Sequence, residues 1–374
     1  MTEHADTTSS AEGTACTVPR IGAGLPAGSA LRQFAEERYS PRALDRLASH
    51  LTSRYGIDVA EAVELDLGVL RIDRHDGPRW VARVFPPSRP PERSAGDAAI
   101  LRALTARGPG DLDGDLAGEH LPVEAPLSEL DGQAVLVTEF VESVTRAERA
   151  GAISAAGGLR RLGEVLGRLQ ALSHGEPGDL RHPSDALDSL DRPGGCWHHL
   201  ADGGPDEEVR SLAALLDEAS ALVPAGEAAG YDTLRELIGT LDDAEALPMA
   251  FAHPDFVMSN VVPSPVRGLV LVDWTGAGQA ARIWPLAWFL FTEGVKDLRR
   301  IDRILAGYGP HVTLGPAELD RLGAVMLVRP LVLAVWSFCM GRSSLGEVLA
   351  RSTEIRRRAD EVSARAVAAF AAGR

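Results

Sequence analysis

Two acidic residues and an asparagine, spaced around one short apolar segment, constrain this chain more than any other feature of its sequence. The segment AFAHPDFVMSNVV contains His253, Asp255 and Asn260, and the asparagine follows the aspartate by five residues. In the next segment, GLVLVDWTGAG, Asp273 ends an apolar run thirteen residues after Asn260. A loop followed by the end of a strand would bring these polar side chains to one point.

This combination of side chains is the one that phosphoryl transfer requires. One carboxylate has to accept the proton of the attacking hydroxyl. An asparagine carbonyl and a second carboxylate have to hold a divalent cation against the phosphates. Oxygen ligands of this kind favour Mg²⁺ over zinc. The spacing therefore indicates a site for Mg²⁺-dependent phosphoryl transfer.

The same two segments, HPDFVMSN and VDW, resemble the catalytic and metal-binding segments of the aminoglycoside phosphotransferase and choline kinase family, whose members are related to protein kinases. The resemblance implies an α+β, two-lobed, protein-kinase-like fold with a β-rich N-terminal lobe, a helical C-terminal lobe, and ATP or GTP between them. It implies that Asp255 is the catalytic base, that Asn260 and Asp273 bind Mg²⁺, and that His253 organises the loop.

Segments nearer the N-terminus extend the resemblance in the same order along the chain. RWVARVF resembles the third strand of the family, which places Arg83 at the α- and β-phosphates. GDAAILRAL resembles the helix whose acidic residue, here Asp97, pairs with the basic residue of the third strand, here Arg83. VLVTEFVES resembles the strand that enters the hinge, where the backbone of Glu139, Phe140 and Val141 would meet the nucleobase.

Three departures from the family pattern leave a second interpretation open. The basic residue of the third strand, Arg83, is an arginine, and the only lysine of the chain, Lys296, lies beyond Asp273. Gly68 is the only glycine between the first two strands, and GQAARIWPLAW lacks the acid often found after the metal-binding aspartate. The alternative is a pseudokinase-like binding or regulatory protein.

Two other kinase classes are disfavoured by the motifs of the chain. A protein kinase is disfavoured because no APE signature follows Asp273, and a P-loop kinase is disfavoured because no GxxxxGK[ST] motif occurs.

Length and patterning predict how the chain is divided. A chain of 374 residues is long enough for two lobes of unequal size. The pattern predicts a disordered tail over residues 1–29, a β-rich nucleotide-binding lobe over residues 30–142, and a helical lobe with the catalytic loop and substrate site over residues 143–374. Three strands, a helix and two strands are expected in the first lobe, and a short strand at Leu269–Trp274 interrupts the helices of the second.

Charge and cysteine content narrow the possible partners and compartment. A net charge of −15 argues against a nucleic-acid partner. The three cysteines, Cys16, Cys196 and Cys339, are widely separated, so we expect neither disulfides nor a zinc site, but a cytoplasmic protein. No apolar segment follows a basic one near the start, so no signal peptide is expected.

The most apolar stretch of the chain, Gly323 to Gly341, is interrupted by Arg329-Pro330. It is therefore predicted to be a buried helix or helix pair and not a membrane span.

The acceptor is predicted to be a hydroxyl of a small molecule: an aminoglycoside-like antibiotic, an amino alcohol, a sugar or a secondary metabolite. The loop from Gly175 to Asp206 is expected to shape its pocket. Trp284, Trp288 and Trp336 are interpreted as core residues, and the chain as a monomer or homodimer.

Overall fold

The computed structural model describes residues 41–66, 68–86, 89, 91–106, 116–117, 120–171, 192–196, 204–339 and 341–372. The predicted tail, Cys16 and most of the predicted substrate loop lie outside these ranges. The described chain has a β-sheet in its N-terminal part and is mostly helical in its C-terminal part. The predicted α+β class is therefore confirmed.

A five-stranded antiparallel sheet forms the N-terminal part. Its strands are β1 Val59–Asp66, β2 Val69–Arg74, β3 Trp80–Val84, β5 Leu127–Leu130 and β6 Gln133–Glu139. They lie in the order β1-β2-β3-β6-β5. Strand β3 alternates buried and less buried residues, whereas the four successive residues Val135 to Thr138 of β6 are all buried. Gly68 has a positive φ of 80° in the tight connection between β1 and β2, a conformation that glycine adopts without strain.

One helix covers each face of this sheet. Helix α1, Pro41–Tyr55, packs Leu47 and Leu51 into one apolar cluster together with Val135 and Val137 of β6. Helix α2, Pro91–Ala106, belongs to the main core, which also contains Leu136 of β6. Successive residues of β6 thus point to opposite faces, and both faces are buried.

Short strands frame the segment that carries the sequence motif. Four-residue strands β7, Met249–Ala252, and β10, Gly278–Ala281, pair antiparallel. Strands β8, Val261–Ser264, and β9, Gly268–Leu271, form a hairpin, and the two-residue β4, Leu116–Ala117, pairs parallel to β9. The sequence pattern predicted a strand at β9, within an apolar run, but did not predict β4, β7, β8 or β10.

Helices make up most of the rest of the described chain. The helices are α3 Arg146–Ala155, α4 Gly158–Ala171, α5 Pro205–Ala219, α6 Ala228–Gly239, α7 Ile283–Gly294, α8 Arg299–Tyr308, α9 Pro316–Cys339 and α10 Leu345–Ala372. Helices α4 and α8 approach each other through glycines. A Cβ atom on Gly307 would lie 1.9 Å from the carbonyl oxygen of Arg160, and one on Gly163 would lie 2.0 Å from that of Ile304.

Helix α9 corresponds to the apolar stretch that the sequence singled out. It is a single helix with Pro330 inside it, long and apolar enough to cross a membrane, but most of it is buried within the protein. Arg329 is 3% exposed in its middle. Cys196 and Cys339, the described cysteines, are buried and not bonded to each other.

Candidate active site

The motif residues meet on a loop that leaves β7 and returns through a 3₁₀ turn, Met258–Asn260, to β8. The carboxylate of Asp255 accepts two hydrogen bonds there. Trp288 Nε1 donates to Oδ1 at 2.7 Å, and Asn260 Nδ2 donates to Oδ2 at 2.9 Å. Both oxygens are therefore held in orientation by uncharged donors, and each retains capacity for a further hydrogen bond.

His253 ties this loop to the strand that precedes Asp273. Its Nδ1 accepts the backbone N–H of Asp255 at 3.1 Å, and its Nε2 lies 3.0 Å from the carbonyl oxygen of Val272, to which it donates. Burial lowers the pKa of His253 to about 4, and the charge of Asp255 opposes this shift only in part. The imidazole is thus neutral at physiological pH, and its contacts are those of a residue that organises the loop.

Asn260 has its two amide hydrogens directed at Asp255. Nδ2 donates to the backbone oxygen of Asp255 at 2.8 Å as well as to its carboxylate. This orientation leaves Oδ1 without a protein donor among the described residues. The backbone oxygen of Asn260 accepts the N–H of Val272 at 2.9 Å, which brings Asn260 next to Asp273.

Asp273 follows β9 with a φ of 69°, in the left-handed region that few residues other than glycine adopt. Arg83 Nη2 lies 2.6 Å from its Oδ1, and this ion pair joins β3 to the end of β9. Burial raises the pKa of Asp273, and the carboxylates of Asp255 and Asp66 act in the same direction, whereas Arg83 lowers it. A cationic partner is therefore favourable at this position.

Asp97, predicted to pair with Arg83, has other ionic partners. It is 1% exposed on α2, and its Oδ2 accepts from Arg89 Nη2 at 2.7 Å. Its Oδ1 binds Arg192 and accepts the backbone N–H of Gly276 at 3.1 Å. Asp97 thus connects α2 to the segment 192–196 and to the loop that follows Asp273. Its assignment to nucleotide binding stays a prediction.

The predicted hinge lies where β6 ends. The N–H of Glu139 donates to the carbonyl oxygen of His120 at 2.9 Å, and that of Phe140 donates to Arg79 at 3.0 Å. Both groups are therefore used within the protein. The N–H of Val141 has no such bond within the described ranges, and the residue is half-buried. Of the three hinge residues, Val141 offers the backbone donor.

The oxygen donors present fit a magnesium ion. The Oδ1 atom of Asn260 and the carboxylate of Asp273 are hard ligands, and Mg²⁺ is commonly bound by one or two such side chains together with phosphates and water. In the part of the chain that the structure describes, no group of three or more His, Cys, Asp or Glu residues could hold a metal. A purely protein-made metal centre is therefore not indicated there.

Two contacts of this site were missed by reasoning from the sequence. Trp288 was interpreted as a core residue, yet it is half-buried and donates to Asp255, whereas Trp284 and Trp336 are buried. Arg192 donates to the carbonyl oxygens of Ala277, at 3.1 Å, and Arg93, at 2.8 Å, besides binding Asp97. No local pattern marks either residue, because their partners are distant in the sequence.

The fold and the site define a kinase-like, small-molecule phosphotransferase class. A family model described as "Phosphotransferase enzyme family" (APH) matches residues 63–322, and the chain belongs to this family. No curated protein sequence matches the chain.

Solved structures share the fold at low sequence identity. An amicoumacin kinase in complex with AMP-PNP and Ca²⁺ matches with a TM-score of 0.55 and 13% identity, over 87% of this chain and 95% of the other. Choline kinase LicA from Streptococcus pneumoniae matches with a TM-score of 0.51 and 13% identity, over 86% and 98%. A mutant aminoglycoside 2′-phosphotransferase in complex with GDP matches with a TM-score of 0.51 and 12% identity, over 85% and 97%. The predicted two-lobed kinase-like fold is thereby confirmed.

Proposed function

We propose that this protein transfers the γ-phosphoryl group of ATP or GTP to a hydroxyl of a small molecule, with Asp255 as the base. The arrangement around Asp255 carries the proposal. Two uncharged donors orient its carboxylate, and one of them, Asn260, keeps its own side-chain carbonyl oxygen without a protein donor among the described residues. Asn260 thus contacts the base directly, and its backbone oxygen accepts the N–H of Val272, the residue before Asp273. A base and two oxygen ligands for a cation therefore lie on adjoining segments.

In this proposal the protein acts mainly by positioning and by charge. Asp255 accepts the proton of the acceptor hydroxyl as the oxygen attacks phosphorus. Its fixed orientation means that little rearrangement is needed when the acceptor arrives. Asn260 and Asp273 would hold Mg²⁺, which supplies neutralisation of the phosphate charge when it is bound.

The nucleotide contacts follow from the N-terminal sheet. Arg83 reaches from β3 to Asp273, so its guanidinium lies beside the proposed metal ligand and can supply a fixed positive charge to the phosphates. The backbone of Glu139 to Val141 would contact the nucleobase, with the N–H of Val141 as donor. A division of the chain near residue 142, between a nucleotide lobe and a catalytic lobe, is part of the same proposal, as is a cytoplasmic monomer or homodimer.

One observation favours a second candidate, a pseudokinase-like protein that binds nucleotide without turnover. The carboxylate proposed as a metal ligand is already paired with an arginine, Arg83 Nη2 being 2.6 Å from Asp273 Oδ1. A cation would have to compete with this contact. The oriented Asp255 favours the enzyme, because a protein that only binds nucleotide has no use for a positioned base.

A screen of γ-phosphate consumption separates the two candidates. Purified protein is incubated with ATP or GTP and Mg²⁺ together with aminoglycosides and other hydroxylated antibiotics, amino alcohols, sugars or hydroxylated secondary metabolites. We expect nucleotide consumption to rise with one acceptor class, and mass spectrometry to detect its phosphomonoester. Mg²⁺-dependent nucleotide binding without a phosphorylated product from any class would favour the binding protein.

A further inference from the structure

A positive charge lies in the middle of the most apolar helix of the protein. Arg329 of α9 is 3% exposed and is followed directly by Pro330. A buried guanidinium loses its hydration, and this loss is compensated only by close polar partners. The partners of Arg329 therefore indicate what the residue does.

The guanidinium of Arg329 connects three separate parts of the chain. Its Nη2 donates to the carbonyl oxygen of Pro254 at 2.9 Å and lies 3.3 Å from that of Gly195. The same nitrogen lies 3.0 Å from Oε2 of Glu208, a residue of α5 whose side chain is 0% exposed. Pro254 precedes Asp255, so Arg329 holds the peptide group from which the proposed base projects.

Neighbouring contacts restrict the orientation of this arginine. Its guanidinium carbon lies 5.9 Å from the centre of the Trp284 ring, and Trp284 Nε1 also donates to the carbonyl oxygen of Gly195, at 2.9 Å. Gly195 and Arg192 belong to one short segment, 192–196, and Arg192 contacts Ala277 beyond Asp273. Arg329 on the Asp255 side and Arg192 on the Asp273 side thus attach the same segment to both halves of the site.

Stability alone does not account for a buried pair of this kind. Replacing a buried ion pair by apolar side chains of similar size is often neutral or stabilising. Apolar side chains at positions 208 and 329 would however leave the Pro254 carbonyl without this donor. The specific consequence of Arg329 is therefore the position of the loop that carries Asp255.

We propose that Arg329, held in orientation by Glu208, is a positioning residue for Asp255 that acts through the Pro254 carbonyl. The proposal rests on the proposed phosphotransferase function for its kinetic consequence, but not for its structural one. Removing the guanidinium displaces the base, which slows the transfer step. It leaves nucleotide binding nearly unchanged, because Arg83 and Asp273 belong to other elements.

The double variant Arg329→Met with Glu208→Leu removes the pair without leaving an unpaired buried charge. We expect kcat to fall about 10- to 100-fold, since a small misplacement of a catalytic group has effects of this size, while the nucleotide KM changes less than about threefold. Arg329→Lys keeps the charge opposite Glu208 and should recover part of kcat. The matched control is Arg300→Met with Glu293→Leu, which removes another arginine pair with a fully buried glutamate, between α8 and α7. The second partner of Glu293, Lys296, is 55% exposed and stays hydrated in this control.

Amide hydrogen exchange of a peptide covering residues 250–262 gives a readout that does not need activity. We expect faster exchange in the Arg329→Met, Glu208→Leu variant, an intermediate rate in Arg329→Lys, and the wild-type rate in the control. If the wild type shows no phosphotransfer but the double variant still exchanges faster than the wild type, the positioning role is supported and the proposed reaction is contradicted. Wild-type exchange in the double variant would overturn the positioning role, whatever its activity.

Discussion

Arg83 of β3 and Asp273 at the end of β9 form an ion pair, with 2.6 Å between Nη2 and Oδ1. The residue predicted to contact the phosphates and the residue predicted to bind the metal are thus in direct contact. Their side chains are 11% and 27% exposed, so the pair is partly shielded from water. A nucleotide with its metal would engage both members of the pair at once.

Loss of the Arg83 charge should weaken nucleotide binding. A charge-assisted contact to phosphate contributes about 1.5–3 kcal/mol, so Arg83→Ala should raise the nucleotide KM roughly 10- to 100-fold. Arg83→Lys should recover only part of this loss, because lysine lacks the planar, bidentate donor group. Arg74→Ala is the matched control, because Arg74 is 12% exposed in the neighbouring strand and pairs with Asp76. Equal KM values for Arg83→Ala and this control would place the phosphate contact elsewhere.

Asp97 should contribute more to stability than to nucleotide affinity. Asp97→Asn leaves Arg89 and Arg192 without their carboxylate partner, and breaking a buried pair costs about 3–5 kcal/mol. We expect a loss near the lower end of this range in urea unfolding. Asp131→Asn, which breaks the exposed pair with Arg46, should cost less than about 1 kcal/mol. A variant with wild-type stability and a strongly raised nucleotide KM would instead support the predicted role beside Arg83.

His253 should make the stability of the protein depend on pH. Its pKa is about 4 in the folded protein and 6.5 ordinarily, so the unfolded chain binds the proton more tightly. The stabilisation is complete above pH 6.5 and is lost as the pH falls towards 4, by on the order of 2–3 kcal/mol. Asp255 and Arg329 shift this pKa in opposite directions.

The test for His253 compares urea unfolding of the wild type and His253→Gln at several pH values. Glutamine does not titrate, so the difference in unfolding free energy between the two proteins should shrink as the pH is lowered through this range. A difference that stays constant from pH 7 to pH 4 would mean that His253 is protonated equally in both states.

The indole N–H of Trp288 should matter for turnover. Trp288→Phe keeps an aromatic ring but removes the 2.7 Å hydrogen bond to Asp255 Oδ1. Hydrogen bonds to charged groups contribute about 1.5–3 kcal/mol, so we expect kcat to fall about tenfold or more while the nucleotide KM stays nearly constant. Trp80→Phe, in the core of the N-terminal sheet, controls for the loss of an indole. An equal fall in kcat in Trp288→Phe and Trp80→Phe would mean that Trp288 contributes only through packing.

Reasoning from the sequence succeeded where the pattern is local. Alternation over Val59 to Arg74 predicted strands where β1 and β2 occur, and the apolar segment QAVLVTEFVES predicted a strand where β6 occurs. The spacing of Asp255 and Asn260 predicted that they lie on one loop. It failed where partners are distant. Arg329 lies 75 residues from Pro254 in sequence, and Arg192 lies 95 from Asp97, so only tertiary packing brings them together.

The central claim is that Asp255 is the base of a phosphoryl transfer. The most direct measurement is the single-turnover rate of phosphate transfer to the acceptor found in the screen, for the wild type and Asp255→Asn, with the nucleotide Kd from titration calorimetry. We expect the rate to fall at least about 10²- to 10⁴-fold, since the amide cannot accept the proton, while the Kd stays within about threefold. Transfer by Asp255→Asn at nearly the wild-type rate would contradict the claim.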